Sequence, residues 1–187
     1  MKEQWSLYLC LIVSLMCFTS CTTNINTAAV IPVATPTAIH TVSAGLSQTN
    51  FSFSDKEQQH YQLQSAATIS KLRHGHKEFT IDIVDAERSL IIVFYGYTGP
   101  ATYTLTNQIN GGDVRITLDK QYWDLALIPS LSCSLVIQTD EPTTSPGIDH
   151  MRGKFTCPTL PAGHSNISRH AVAIDNGQFD ISINVES

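Results

Sequence analysis

Charge is scarce in this chain: Asp, Glu, Lys and Arg together supply 14% of its 187 residues, against about 25% in an average soluble protein. Serine and threonine fill the gap, with 18 and 20 residues. That usage favours strands and loops over long solvated helices and excludes a charged helical bundle. Positive charge is scarcer still, 11 basic against 16 acidic residues for a net charge of −5. No broad positive field exists to attract nucleic acid, and no nucleic-acid partner is expected. Long hydrophobic runs are missing too. The run Leu7 to Phe18 spans twelve residues, short of the roughly twenty a helix needs to cross a bilayer. Catalytic signatures are absent: there is no Gly-x-Ser-x-Gly elbow, no phosphate-binding glycine loop and no His-Glu-x-x-His pair. Asp149-His150 could join a serine in a triad, but nothing marks the nucleophile. Catalytic residues, cofactors and enzymatic activity are therefore not expected.

The first twenty residues read as an export signal. Lys2 is offset by Glu3, and the apolar run after Ser6 has the length of a secretory h-region, about 7 to 15 residues. Thr19 and Ser20 are small, and Cys21 follows them directly. This resembles the lipobox of bacterial lipoproteins, with Phe18 where the family usually has Leu. The resemblance implies lipidation of Cys21, removal of residues 1–20, and a protein held on the outer side of a bacterial membrane, at the cell surface or in the periplasm. Cys17 follows the bulky Leu15-Met16 and Cys10 lies inside the run, so neither fits that role. An ordinary cleaved signal containing three cysteines is the alternative. From Thr22 to Asn50 there is no charged and no aromatic residue. Residues 21–50 then form the lipidated cysteine and a flexible tether of about 30 Å, unless Ala29 to Val33 makes a short strand.

Residues 51–187 read in twos. Phe79, Ile81 and Ile83 alternate with polar neighbours, as do Tyr103 and Leu105, and Val114, Ile116 and Leu118. That is the period of a strand with one buried face. Leu90 to Tyr95 is apolar throughout, as in a strand covered on both faces, and Gly96 ends it. Turn residues at Gly99-Pro100, Asn110 to Gly112 and Pro142 to Gly147 separate the runs, and no helical repeat of ten residues occurs. The expected fold is all-β, a single antiparallel β-sandwich of about eight or nine strands, with a flattened barrel as the alternative. Gln121 to Pro129 fits either a short strand or one helical turn. Asn176-Gly177 is the favoured pair for a two-residue type I′ turn. A hairpin there would set Ile174 against Phe179, Val172 against Ile181 and His170 against Ile183, which would pack His170 on the apolar face.

Parity also speaks for the cysteines. Cys133 shares a strand face with Leu135 and Ile137, and Cys157 shares one with Phe155 and Met151, so both sulfurs point inward. In an exported chain a Cys133–Cys157 disulfide is expected, with two buried thiols as the alternative.

Gly96-Tyr97-Thr98-Gly99-Pro100-Ala101-Thr102-Tyr103 resembles a Gly-Tyr-x-Gly-Pro-Gly-Thr-Tyr corner found in uncharacterised exported β-domain lipoproteins of bacteria, with Ala101 in place of Gly. Trp123, Cys133, the Gly153-x-Phe155-x-Cys157 run and Asn176-Gly177-x-Phe179 continue the similarity, which covers about Phe79 to Val185. It implies an exported β-domain and carries no activity.

Two features bear on binding. His74 and His76 could form half of a metal site, completed in space by His60, His150 or His164, or could be solvated side chains of a polar loop from Lys71 to Glu78; no metal is expected. Tyr95, Tyr97, Tyr103, Tyr122 and Trp123 fall near strand ends, where they could receive a sugar or a partner protein or serve as core. The expected function is thus a lipid-anchored, non-enzymatic β-domain with an envelope structural or surface interaction role. The alternative is a module that binds a small ligand, carbohydrate or metal.

Overall fold

Alternating patterning becomes eleven strands in the computed structural model, which describes residues 45–54, 58–65 and 69–186. The signal run, Cys21 and the tether to residue 44, including Ala29 to Val33, lie outside the described residues. In chain order the strands are β1 (Ser47–Ser54), β2 (Gln58–Ser65), β3 (Lys71–Arg73), β4 (Glu78–Asp85), β5 (Arg88–Tyr95) and β6 (Thr102–Thr106). They continue as β7 (Gly112–Leu118), β8 (Gln121–Asp124), β9 (Ser132–Pro142), β10 (Ile148–Leu160) and β11 (Val172–Glu186). The only helical pieces among the described residues are two 3₁₀ turns, His74–His76 and Leu125–Leu127. β1 begins at Ser47, so the last four residues of the charge-free stretch are already in the sheet.

These strands make one continuous sheet in the order β6-β9-β10-β11-β3-β4-β5-β7-β8, with β1 paired to β11 and β2 to β1. The expected antiparallel sandwich is therefore corrected: the strands are all-β but form a single curled half-barrel, and β3 runs parallel to β11. One long strand explains the difference. β11 spans fifteen residues, and along one edge it carries β1 beside its first half and β3 beside its last three described residues. Curling brings the inner faces together over a core that includes Phe51, Leu63, Phe79, Ile92, Leu135, Phe155 and Ile181. β5 is central, but Ile91 and Val93 on its outer face are only half-buried, so it is covered on one side and not on both.

The Asn176-Gly177 hairpin does not form. Both residues lie inside β11, neither has a positive φ, and Gly177 faces Phe155 of β10. The buried positions nevertheless switch from Val172 and Ile174 to Gly177, Phe179 and Ile181. A β-bulge causes the switch: two residues of β11, Asp175 and Asn176, oppose one of β10, Thr156, between Phe155/Gly177 and Cys157/Ile174. An extra residue in a strand and a two-residue turn shift the phase of an alternating pattern identically, so parity alone does not separate them.

Glycine is required at this pairing. Gly153 faces Phe179 while Phe155 faces Gly177, so the Gly-x-Phe runs of the two strands are reciprocal partners. A Cβ on Gly177 would stand 2.6 Å from the Phe155 ring, and one on Gly153 would stand 2.4 Å from that of Phe179. Each ring covers the glycine opposite it. Next to this pair, Cys133 and Cys157 are joined by a disulfide across β9 and β10, with Cα atoms 4.4 Å apart. That spacing is that of directly opposed, non-hydrogen-bonded residues in an antiparallel pair. The inward parity of both cysteines placed them there.

Two turns complete the frame. Gly96 (φ 95°) and Gly99 (φ 116°) bend the chain from β5 into β6. Between β7 and β8, Leu118 faces Gln121, and the two residues between them, Asp119 and Lys120, are both left-handed, with φ of 49° and 69°. This is the type I′ arrangement, formed by Asp-Lys and not by Asn176-Gly177. Gln121 to Pro129 proves to be both things expected of it, strand β8 and then a 3₁₀ turn whose first free amide, Ala126 N, is capped by Asp124 Oδ1 at 2.8 Å.

Candidate functional site

Aromatic side chains gather at both ends of the curled sheet, and the two gatherings differ in what they leave free. At one end Phe94 packs on Phe79 with ring centroids 4.9 Å apart and on Tyr103 at 4.6 Å, while Tyr97 stacks on Phe79 at 5.5 Å. Both hydroxyls here are occupied. Tyr97 Oη donates to Asp140 Oδ2, and Tyr103 Oη donates to the Gly99 carbonyl while accepting the amide of Thr98 at 3.2 Å. Burial, followed by the Asp140 carboxylate, pushes the Tyr97 phenol far above its ordinary range. Asp149 sits beside this pair, its carboxyl raised first by burial and then by Asp140. This end is sealed.

At the opposite end Phe53, Tyr61 and Trp123 border a cleft of about 380 Å³. Phe53 meets Trp123 edge-on at 4.9 Å and Tyr61 edge-on at 5.2 Å, with ring planes turned by 68° and 60°. The three rings therefore stand as walls and not as a flat shelf. Leu118 and Val172 extend the apolar lining, and polar groups come from Gln59, Asp119, Gln121, Ser168 and His170. Four parts of the sheet converge here: the end of β1 with the start of β2, the β7–β8 turn, β8 itself, and the chain entering β11.

The loop supplying Ser168 and His170 is tied to β8. Tyr122 N donates to Asn166 Oδ1 at 2.8 Å, and Asn166 Nδ2 donates back to the Tyr122 carbonyl at 2.7 Å, so a buried side-chain amide stands where a strand partner would. Gly163 N donates to that same carbonyl at 2.8 Å. Trp123 is fixed through its indole, whose Nε1 donates to the His170 carbonyl at 3.3 Å. Tyr61 Oη donates to Gln59 Oε1, and the Tyr61 phenol is raised by burial and then by the Asp119 carboxylate. Both aromatic polar handles are thus turned to the protein, which leaves ring surface, amides and one carboxylate toward the cleft.

The residues singled out from the sequence are distributed unevenly. Trp123 lines the cleft, and Tyr122 holds its loop; Tyr97 and Tyr103 belong to the sealed end, and Tyr95 is exposed on the outer face. His74 and His76 are exposed on a 3₁₀ turn, His164 is exposed, His60 Nδ1 pairs with Ser52 Oγ at 2.6 Å, and His150 Nε2 pairs with Asp180 Oδ1 at 2.6 Å. They do not converge, and among the described residues no group of three or more His, Cys, Asp or Glu is placed to hold a metal ion. His170 is exposed beside the cleft and not packed in the core, because the hairpin that would have buried it does not exist. Ser168, His170 and Asp119 share the cleft without a hydrogen bond joining them among the described residues, so they do not form the linked relay a nucleophile needs. Gln59, Asp119, Gln121 and Ser168 carried no signal in the sequence beyond the two-residue Asp119-Lys120 break between alternating runs. No protein family, curated protein or solved structure matches the chain.

Proposed function

We propose that this protein is an exported, lipid-anchored and non-enzymatic β-domain that binds a small ligand in the cleft beside Trp123. The observation that carries the reading is the cleft itself: concave, walled by three rings set at steep angles, and rimmed by amides, a serine and one carboxylate. Such a combination of apolar wall and few polar groups is what small-molecule sites share. Anchoring rests on the lipobox-like Thr19-Ser20-Cys21 run, and the disulfide is in keeping with an oxidising compartment outside the cytoplasm. Trp123 reports on its own site, because the only other tryptophan is Trp5 in the signal run. Titrating the full chain carrying Trp5→Phe with sugars, amines and small aromatics is expected to give a saturable change in Trp123 fluorescence for one class. No change with any probe at millimolar concentration overturns the cleft reading. Intact mass and membrane partitioning, compared with Cys21→Ala, test the anchor separately.

A surface-contact role has one observation in its favour. Lys154, Gln178, Asn50 and Gln62 face one another in a row across β10, β11, β1 and β2, all exposed. That is an exposed, mostly uncharged row of the kind a partner could cover.

A further inference from the structure

We propose that the cleft beside Trp123 takes an organic cation, an alkylammonium group seated against the rings and facing Asp119. The inference rests on the cleft being a ligand site and goes on to name the ligand's charge. Three observations carry it. Phe53, Tyr61 and Trp123 all line the cleft, with ring planes 60° and 68° apart about Phe53; Tyr61 presents the most surface, and Phe53 and Trp123 are 4% and 7% exposed. The face of an aromatic ring attracts cations through its quadrupole. The polar atoms of the two aromatic side chains that carry them are already engaged, Trp123 Nε1 by the His170 carbonyl and Tyr61 Oη by Gln59. Among the described residues the charge in the lining has one sign: Asp119 is its carboxylate, and no described Lys or Arg lines it. Lys120 and Arg169, which adjoin lining residues in the chain, are exposed and outside the lining.

Asp119 is also held at some cost. It and Lys120 are non-glycine residues in the left-handed region, φ 49° and 69°, which Asp tolerates and Lys does not favour. No ion pair among the described residues engages its carboxylate, so the charge is available to a ligand. Anions are disfavoured by the same lining, and neutral ligands gain no charge attraction from Asp119.

Two probes of one shape separate the charge from the fit. Choline and its neutral carbon isostere 3,3-dimethylbutan-1-ol are titrated against the full chain carrying Trp5→Phe, with Trp123 fluorescence as readout. Choline is expected to bind about tenfold or more tightly than the isostere, the factor that cation–π attraction plus one carboxylate supplies. Asp119→Asn keeps a residue suited to the left-handed turn, and is expected to cut choline affinity several-fold while leaving the isostere unchanged. Equal affinity for both probes, or an Asp119→Asn variant that binds choline as tightly as the parent, overturns the cation inference and leaves the cleft reading standing. Silence of Trp123 toward both probes, with a saturable response to a neutral sugar, overturns the cation inference as well. Silence toward every probe removes the cleft reading itself.

Discussion

The two ends of the curled sheet are built from the same kinds of side chain and end up opposite in character. Phe79, Phe94, Tyr97 and Tyr103 close on one another, and each tyrosine hydroxyl finds a partner inside the group or on Asp140. Phe53, Tyr61 and Trp123 meet at steeper angles and leave a cleft between themselves and the Asp119 turn. Backbone explains the contrast. At the sealed end a glycine corner carries the chain from β5 to β6, whose Tyr103 packs on Phe94, and Gly112, facing Phe94, lets β7 approach so closely that a Cβ there would lie 2.9 Å from Leu105. At the open end the facing pieces are a two-residue turn and a loop hung from β8, neither of which brings a large side chain across the gap. Phe53 and Trp123 belong to the core as Phe79 and Phe94 do; what differs is that at their end the chain leaves a cleft uncovered.

The largest expected effect tests the sealing. Phe94→Ala should cost about 3–5 kcal/mol, the range for emptying a buried aromatic position, whereas Tyr61→Ala, half-exposed at the cleft, should cost about 1 kcal/mol. Urea unfolding of both variants measures the difference, and equal losses would mean that Tyr61 is held as tightly as the fully buried rings.

Next in size is the disulfide. Cys133–Cys157 closes a loop of 24 residues in sequence separation, worth about 3.5 kcal/mol in the chain-entropy description. Its neighbours are on the open side: Cys157 faces Ile174, which faces Phe53. Reduction is therefore expected to weaken amide hydrogen-exchange protection at Val172 and Ile174 more than at Phe79 to Ile83. Uniform loss along both stretches would break the proposed division of the molecule.

Hydroxyl removal should sharpen it. Tyr97→Phe leaves the Asp140 carboxylate without its phenol donor and should cost about 1–3 kcal/mol. Tyr61→Phe loses a bond to an exposed glutamine and should stay within about 0.5 kcal/mol. Thermal or urea unfolding of the pair decides the point.

What the sequence showed and hid follows the same local-versus-distant line. β4 and β7 alternate cleanly and were legible residue by residue, because one face of each meets core and the other water. The Cys133–Cys157 pair was legible from parity alone. The sheet's continuity was not, because the parallel join that prevents a sandwich involves only Asn184, Val185 and Glu186 beside Lys71 to Arg73. Three residues joined across more than a hundred positions leave no periodic trace. The supposed hairpin failed because a bulge and a turn shift the pattern alike. Of the cleft, only Trp123 stood out; Asp119, Gln59 and His170 become neighbours through strand pairings between distant segments.

Acid titration gives the smallest effect and tests the sealed end. Asp149, at the sealed end, has its carboxyl raised by burial and then by Asp140, so the fold binds its proton more tightly than the unfolded chain does. Such a group contributes stability that is fully present below the unfolded carboxyl value, about 4, and is lost as pH rises through the higher folded value. Asp82 and Asp113, both raised chiefly by burial, act in the same direction. Glu186 acts oppositely, because its hydrogen bond with Arg73 lowers it, and its contribution is lost as pH falls through the folded value. Stability at pH 5 should therefore match or exceed that at pH 7. Asp149→Asn should flatten that slope by less than about 1 kcal/mol, because solvent screens a partly exposed group. A larger gain in stability toward acid in the Asp149→Asn variant than in the parent would show that the carboxylate is favoured in the fold, and that the end described as sealed admits water to its acids.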